Sequence, residues 1–135
     1  ADPATVPNGH NMNAHGMSEG DLWDVVKFTS QGVVDTDDYV AANGAFIGDG
    51  SIGGNGHISY LTVCSGCHGE FGTRLDLGHG VTPEYVGTVA NENPWEFLHK
   101  VRFGHPGSSM PSTDLLRWSV QDAADIGVYS ASLPQ

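Results

Sequence analysis

The sequence is poor in basic residues and cysteine and lacks long apolar runs, and each shortage excludes a class of protein. Only 5 lysines and arginines accompany 16 aspartates and glutamates, which gives a formal charge of -11 at pH 7. A chain of this charge repels nucleic acid and anionic membrane surfaces, so neither is expected as a partner. No stretch approaches the roughly 20 consecutive apolar residues of a membrane-spanning helix, so no integral membrane segment is expected. The length of 135 residues suits one domain with a decorated terminus.

Cysteine occurs only 2 times, and both copies fall in one short motif. Residues 64–68 are Cys-Ser-Gly-Cys-His, and C-x-x-C-H is the pattern through which c-type haem is attached. Each thiol can form a thioether with one haem vinyl group, and the adjacent His68 can bind the iron as proximal ligand. Random placement of the same residues would produce the motif in roughly one chain in a thousand. We therefore predict one haem c, held covalently by Cys64 and Cys67.

Other interpretations of the two cysteines fit the sequence less well. A redox-active dithiol belongs at a helix start after a buried strand, and no such strand pattern flanks the motif. A disulfide between residues three apart is geometrically awkward. A zinc site needs a second pair of closely spaced ligands. The histidines beyond the motif are instead scattered singly, at His57, His79, His99 and His105.

Met110 is the predicted sixth ligand of the iron. It lies downstream of His68 in a loop of Gly, Pro and Ser residues, directly before Pro111, and such a loop can carry a thioether to the opposite haem face. A thioether raises the reduction potential by favouring Fe(II), and an iron closed on both sides exchanges electrons without binding substrate. A core role for Met110 is the plainer alternative. The other candidate ligands are His79, His99 and His105.

Capping signals and apolar spacing predict a mostly helical chain. The predicted helices cover residues 18–32, 37–43, 58–68, 82–89, 93–104 and 119–131. Glycine-rich or irregular composition predicts loops at residues 44–56, 69–80 and 104–111.

Residues 1–17 show no apolar period and are expected to form a polar arm. Four soft-metal donors lie within it, which suggests copper, but their spacing matches no defined site, and a solvated tail is the favoured interpretation. These donors are His10, Met12, His15 and Met17. The chain begins at Ala1 rather than Met, as expected after removal of a signal peptide.

The residues around the motif follow a known family pattern. Gly56-x-x-x-Tyr60 precedes the motif by the spacing of a haem-bearing first helix, Ile126-x-x-Tyr129 is similar to a closing helix, and Met110-Pro111 is similar to a distal-ligand motif. Over residues 53–135 the chain thus resembles the class I c-type cytochromes, in which an aromatic of the closing helix packs against the glycine of the first helix. Because Gly56 lacks a side chain, the closing helix is expected to approach it closely and to lay Tyr129 across it. Residues 93–111 further resemble a subgroup of bacterial periplasmic monohaem cytochromes with a helical extension before the haem helix.

The resemblance implies an all-α chain, a class I cytochrome c fold with an additional N-terminal helical segment. Residues 1–17 would be the arm, residues 18–52 the helical extension and Gly-rich loop, and residues 53–135 the monohaem cytochrome c domain. The implied function is single-electron transfer, not enzymatic catalysis. A periplasmic location follows because haem attachment to C-x-x-C-H takes place outside the bacterial cytoplasm. The implied partners are periplasmic redox proteins, namely a donor dehydrogenase and an acceptor oxidase or reductase.

Several further residues are assigned to the haem or its surroundings. Those expected to line the haem or the core are Tyr60, Trp95, Phe97, Leu98, Val101 and Pro111. Arg74 and Arg102 are candidates to pair with the haem propionates, with a plain surface role as the alternative. The family often supplies a Pro carbonyl to the Nδ1 proton of the proximal histidine. No Pro lies between Gly69 and Thr82, so the acceptor for His68 is not identified, although one is expected.

Two other functions remain open at this point. One is a haem enzyme or gas sensor with an open or switchable sixth site. The other is a dedicated cytochrome subunit of a dehydrogenase complex, on which the helical extension would dock permanently.

Overall fold

Helices are the main regular secondary structure in the part of the chain that the structure describes. This computed structural model describes residues 16–27, 29, 35–78, 80–105, 107–113 and 115–135. The helices are α1 (Glu19–Lys27), α2 (Asn55–Ser59), α3 (Ser65–His68), α4 (Val86–Glu92), α5 (Pro94–Phe103) and α6 (Val120–Ala131). A π-helical turn, Tyr60–Cys64, joins α2 to α3, and residues 55–68 are called the motif helix below. In these ranges β-pairing is limited to one bridge between Val40 and Phe46, which confirms the all-α prediction.

The chain divides into two compact units, Ala1–Asp35 and Thr36–Gln135. In the first, α1 begins with the predicted capping box, in which the Asp21 N–H donates to Ser18 Oγ at 3.2 Å and the Ser18 N–H to Asp21 Oδ2 at 2.9 Å. Leu22 is buried, whereas Val25 and Val26 are exposed. The predicted end of this helix near residue 32 lies outside the described residues, as do His10, Met12 and His15.

The second unit has one core, to which the motif helix, α4, α5 and α6 all contribute. Its buried residues are Val40, Tyr60, Val86, Ala90, Phe97, Leu98, Val101, Ala123, Ala124, Ile126, Tyr129 and Leu133. No helix in the described ranges is both long and apolar enough to cross a membrane.

The motif helix and α6 approach each other most closely at Gly56. A Cβ atom at this position would overlap the backbone carbonyl of Asp125, so only glycine allows the contact. The predicted approach of Gly56 to the closing helix is therefore confirmed. The Tyr129 ring lies 5.3 Å from that of Tyr60 and 4.9 Å from that of His57.

The buried carboxylate of Asp125 ties the Gly-rich loop to the same crossing. It accepts hydrogen bonds from the Asp49 N–H at 2.9 Å, from Asn55 Nδ2 at 2.8 Å and from Gln121 Nε2 at 2.9 Å. Gln121 Nε2 also donates to the Ile47 carbonyl at 2.9 Å. A buried carboxylate is tolerated because these three donors replace its hydration.

The predicted helix over residues 37–43 is wrong. A 3-10 turn, Thr36–Asp38, is followed by a tight turn in which the Gly44 N–H donates to the Ala41 carbonyl at 2.8 Å and the Ala45 N–H to Asn43 Oδ1 at 3.1 Å. Asn and Gly favour such turns over helix. The turn brings Phe46 against Phe97, with ring centroids 5.4 Å apart, so this segment belongs to the core of the second unit.

The helix predicted to start at Thr82 starts later, at Val86. The Glu84 backbone is already engaged with the preceding loop, since its N–H donates to Asp76 Oδ1 at 3.0 Å and its carbonyl accepts from the Leu77 N–H at 2.8 Å. The predictions for α5 and α6 are confirmed at their starts, where Asn93 and Ser119 accept from backbone N–H groups of the first turn.

Candidate functional site

The C-x-x-C-H motif lies at the C-terminal end of the motif helix. Cys64 closes the π-helical turn, is partly buried and packs against the core, while Cys67 in α3 is exposed, and the two form no disulfide. Burial raises the pKa of the Cys64 thiol to about 11, so this thiol is protonated at neutral pH.

The π-helical turn was not anticipated from the sequence. The Thr62 hydroxyl donates to the Ile58 carbonyl at 2.7 Å, and the Ser65 hydroxyl to the Leu61 carbonyl at 2.6 Å. Hydroxyls that bind the carbonyl four residues back distort helices, and π turns recur at functional sites. The two hydroxyl residues are the signal from which the distortion could have been suspected.

The chain leaves the motif through a hydrogen-bonded turn, in which the Gly72 N–H donates to the Gly69 carbonyl at 3.1 Å. Gly69, at φ 82°, donates its N–H to the Ser65 carbonyl at 2.8 Å. The Arg74 N–H donates to the His68 carbonyl at 3.0 Å, and Arg74 Nη1 donates to the Gly66 carbonyl at 2.7 Å. The Tyr60 hydroxyl donates to the Gly69 carbonyl at 2.9 Å. Arg74 and Tyr60 therefore hold the backbone around His68.

The His68 side chain is partly buried, and its Nδ1 atom is fully enclosed with no hydrogen-bond partner in the described part of the chain. Burial lowers the pKa of His68, so its ring is neutral at neutral pH. A neutral imidazole is the form that binds a metal. The carbonyl expected to accept from Nδ1 is not found among these residues.

Met110 packs against the same core as Cys64. Its N–H donates to Ser108 Oγ at 3.1 Å, and after Met110 the Ser112 hydroxyl donates to the Arg102 carbonyl at 2.7 Å. Gly104, at φ 76°, makes this return possible, because a Cβ there would lie 2.6 Å from the Met110 carbonyl oxygen. The loop that carries the predicted sixth ligand is thus hydrogen-bonded to the end of α5.

The other predicted site residues divide between core and surface. Tyr60 and Leu98 are each 1% exposed, whereas Trp95 is 45% exposed and Pro111 is exposed. The Arg102 guanidinium carbon lies 4.6 Å from the centre of the Phe103 ring. The structure therefore brings Tyr60, Leu98, Cys64 and Met110 to one core and leaves Trp95 and Pro111 outside it.

Neither described rival for the sixth position is buried. His99 is exposed, and its ring centroid lies 5.0 Å from that of Phe103. His105 is also exposed, and its Nδ1 atom lies 2.8 Å from Lys100 Nζ. His79 lies outside the described residues.

The residues present fit a c-type haem. Two thiols, a neutral imidazole and a thioether are the donors that such a haem uses. Many large apolar side chains between the motif and the start of α6 are exposed, and the apolar faces of a porphyrin cover side chains of this kind. These are Phe71, Leu75, Leu77, Val81, Trp95, Phe103, Leu115 and Leu116. Within the described residues no group of three or more His, Cys, Asp or Glu side chains could hold a metal ion by itself.

Comparison with known proteins identifies no relative of this chain. No family model, no curated protein and no solved structure matches the chain. Functional inference therefore depends on the residues and their geometry.

Proposed function

We propose that this protein is a single-electron carrier of the class I cytochrome c type, with one haem attached through Cys64 and Cys67. His68 and Met110 would hold its iron. The observation that carries the proposal is the C-x-x-C-H motif at a helix end, with a neutral, partly buried His68 and with Cys64 and Met110 packed on one core.

Each side chain has a distinct chemical task. In attachment, the sulfur of each cysteine bonds to one vinyl carbon and the thiol hydrogen passes to the other, so no oxidant is needed. His68 offers a nitrogen lone pair without first losing a proton. Met110 offers a thioether, which never carries a proton and favours Fe(II) over Fe(III). When bound, the haem supplies a one-electron Fe(III)/Fe(II) couple.

Covalent attachment is the first test. The chain is produced in a bacterial periplasm together with c-type haem attachment machinery, then denatured, and its mass and haem absorption are measured. We expect one haem per chain that survives denaturation, and none in Cys64→Ser with Cys67→Ser. A wild-type chain that loses all its haem on denaturation would overturn the proposal.

Replacement of Met110 tests the sixth ligand. Met110→Ala should lower the reduction potential, abolish the weak long-wavelength band of Fe(III)–thioether ligation and admit exogenous ligands, because the thioether is lost. Met17→Ala is the matched control and should retain the wild-type spectrum. A wild-type protein that itself binds exogenous ligands rapidly would favour the haem enzyme or gas sensor with an open sixth site.

The charge of -11 bears on the redox partners. We place the protein in the periplasm, between a donor dehydrogenase and an acceptor oxidase or reductase. A partner that is basic at the contact would be steered to this surface, and such steering is screened beyond a Debye length of about 8 Å at physiological ionic strength. Stopped-flow electron transfer to a basic redox protein should therefore slow as salt is raised. Rates that do not change with salt would indicate apolar docking.

A further inference from the structure

We infer that Tyr60 and Arg74 are positioning residues for His68, an inference that rests on the proposed function. Their side chains bind the two carbonyls that flank the Cys67-His68 pair, at Gly66 and Gly69. Tyr60 and Arg74 together are called the turn clamp below. Neither residue needs to touch the haem to act in this way.

The clamp is required because the motif ends a helix. The last four carbonyls of a helix have no partner within it, and at the motif helix these belong to residues 65–68. The Gly69 N–H donates to the Ser65 carbonyl. Arg74 Nη1 donates to the Gly66 carbonyl, and the Arg74 N–H donates to the His68 carbonyl. A cation at this end is also favoured by the helix dipole. Arg74 therefore caps the end of the helix that carries His68.

Tyr60 fixes the other side of His68. It is 1% exposed, and its hydroxyl donates to the buried Gly69 carbonyl at 2.9 Å. Burial raises the pKa of Tyr60, so the phenol keeps its proton and remains a donor. Because Tyr60 is one turn before Cys64 on the same helix, this bond ties the backbone after His68 to the body of the motif helix.

The absent partner of His68 Nδ1 gives the clamp its importance. A ligating histidine is normally oriented by an acceptor on its other ring nitrogen, and none is found for Nδ1 within the described ranges. Orientation of the ring then depends on the backbone on either side of His68. That backbone is what Tyr60 and Arg74 hold.

The test compares two clamp variants with matched controls in the haem-loaded protein. Tyr60→Phe removes only a hydroxyl, and Tyr39→Phe is its control. Arg74→Gln removes one exposed guanidinium, and Arg117→Gln is its control. In the reduced, diamagnetic form, amide hydrogen exchange at Gly69 and Arg74 should accelerate about tenfold in Tyr60→Phe and about threefold in Arg74→Gln. Neither control should change it.

The oxidised form reports ring orientation directly. The paramagnetic shift pattern of the haem methyl protons depends on the plane of the histidine ring, so both clamp variants should change it and both controls should keep it. Failure of a clamp variant to attach haem, with normal attachment in its control, is the stronger form of the same result. A wild-type pattern in both clamp variants would overturn the inference, as would equal changes in the controls. A wild-type chain that attaches no haem would instead overturn the proposed function.

Discussion

The two ends of the motif helix are held in different ways. At the N-terminal end, Gly56 lies against the Asp125 backbone, and the Asn55 side chain donates to Asp122 and Asp125 of α6. At the C-terminal end, the His68 Nδ1 atom is buried without a partner in the described chain, and exposed apolar side chains follow, such as Phe71 and Leu75. The chain completes one end with its own residues. At the other end it presents exposed apolar side chains, the kind of surface that the face of the proposed haem would cover.

This contrast supports the proposal that a haem is attached at one end only. A packed crossing with a fully bonded carboxylate has neither room nor free donors for a prosthetic group. The opposite end has two thiols and an imidazole, and Met110 packs against the same core as Cys64. The close helix contact and the proposed redox chemistry thus lie at opposite ends of one helix, and the predictions below perturb each end in turn.

The largest effect is expected from removal of the attachment thiols. Cys64→Ser with Cys67→Ser should leave a chain that is largely disordered, because the proposed haem would supply much of the apolar surface at the C-terminal end. Any remaining amide protection should be confined to the crossing of α2 and α6. Circular dichroism and amide hydrogen exchange measure both. A haem-free chain that unfolds cooperatively, with residues 69–78 and 107–113 protected, would contradict the contrast.

The next effect concerns the N-terminal end. Gly56→Ala should cost about 3 kcal/mol of unfolding free energy, because the new methyl group meets the rigid backbone of Asp125. Gly66→Ala, in the same helix, is the matched control, since a Cβ there meets nothing within 4 Å. The control should be neutral or stabilising by up to about 1 kcal/mol, from helix propensity.

Urea unfolding of the haem-loaded proteins measures both changes. Equal losses in Gly56→Ala and Gly66→Ala would show that the crossing is not a special close contact.

The features predicted correctly from the sequence are those set by local chemistry. Asn93 before Pro94, and Ser119 before Asp122, specify the starts of α5 and α6 because a cap acts on the next three residues. The close approach at Gly56 was predicted because the residues before the motif resemble the first helix of a known family and because Gly56 has no side chain to keep another helix away.

The features that were missed depend on contacts distant in sequence or on competition between local structures. The helical pattern over residues 37–43 is overridden by the turn at Asn43 and Gly44, which places Phe46 on Phe97. The start of α4 is delayed because Asp76 binds the backbone of Glu84. Arg74 was a candidate for a propionate or for a plain surface role, and its hydrogen bond to the Gly66 carbonyl was not anticipated. No pattern of residue types reveals such a partner before the chain is folded.

The smallest expected effect is on the loss of unfolding free energy in acid. It is tested by comparing two capping boxes of the same kind, one at Ser119 and Asp122 and the other at Ser18 and Asp21. The Asp122 carboxylate accepts from Ser119 Oγ and Ser119 N–H, each at 2.7 Å, and from Asn55 Nδ2 at 2.8 Å. These hydrogen bonds, that of the Ser119 hydroxyl first, hold the pKa of Asp122 below its usual value. The unfolded state therefore binds more protons in acid, and the stability contributed by Asp122 is lost as pH falls below about 4 through the folded-state pKa.

Asp122→Asn should therefore flatten the decline of unfolding free energy between about pH 5 and pH 3, by about 0.5 kcal/mol after allowance for solvent screening. Asp21→Asn is the control: Asp21 forms the same box with Ser18, and the Ser18 hydroxyl likewise lowers the pKa of Asp21. Asp122 has in addition the bond from Asn55 of the motif helix, so only its replacement should alter the acid sensitivity of the second unit. Urea unfolding at several pH values measures the difference. Identical pH profiles for the two variants would mean that the bond from Asn55 adds nothing to the N-terminal end of the motif helix.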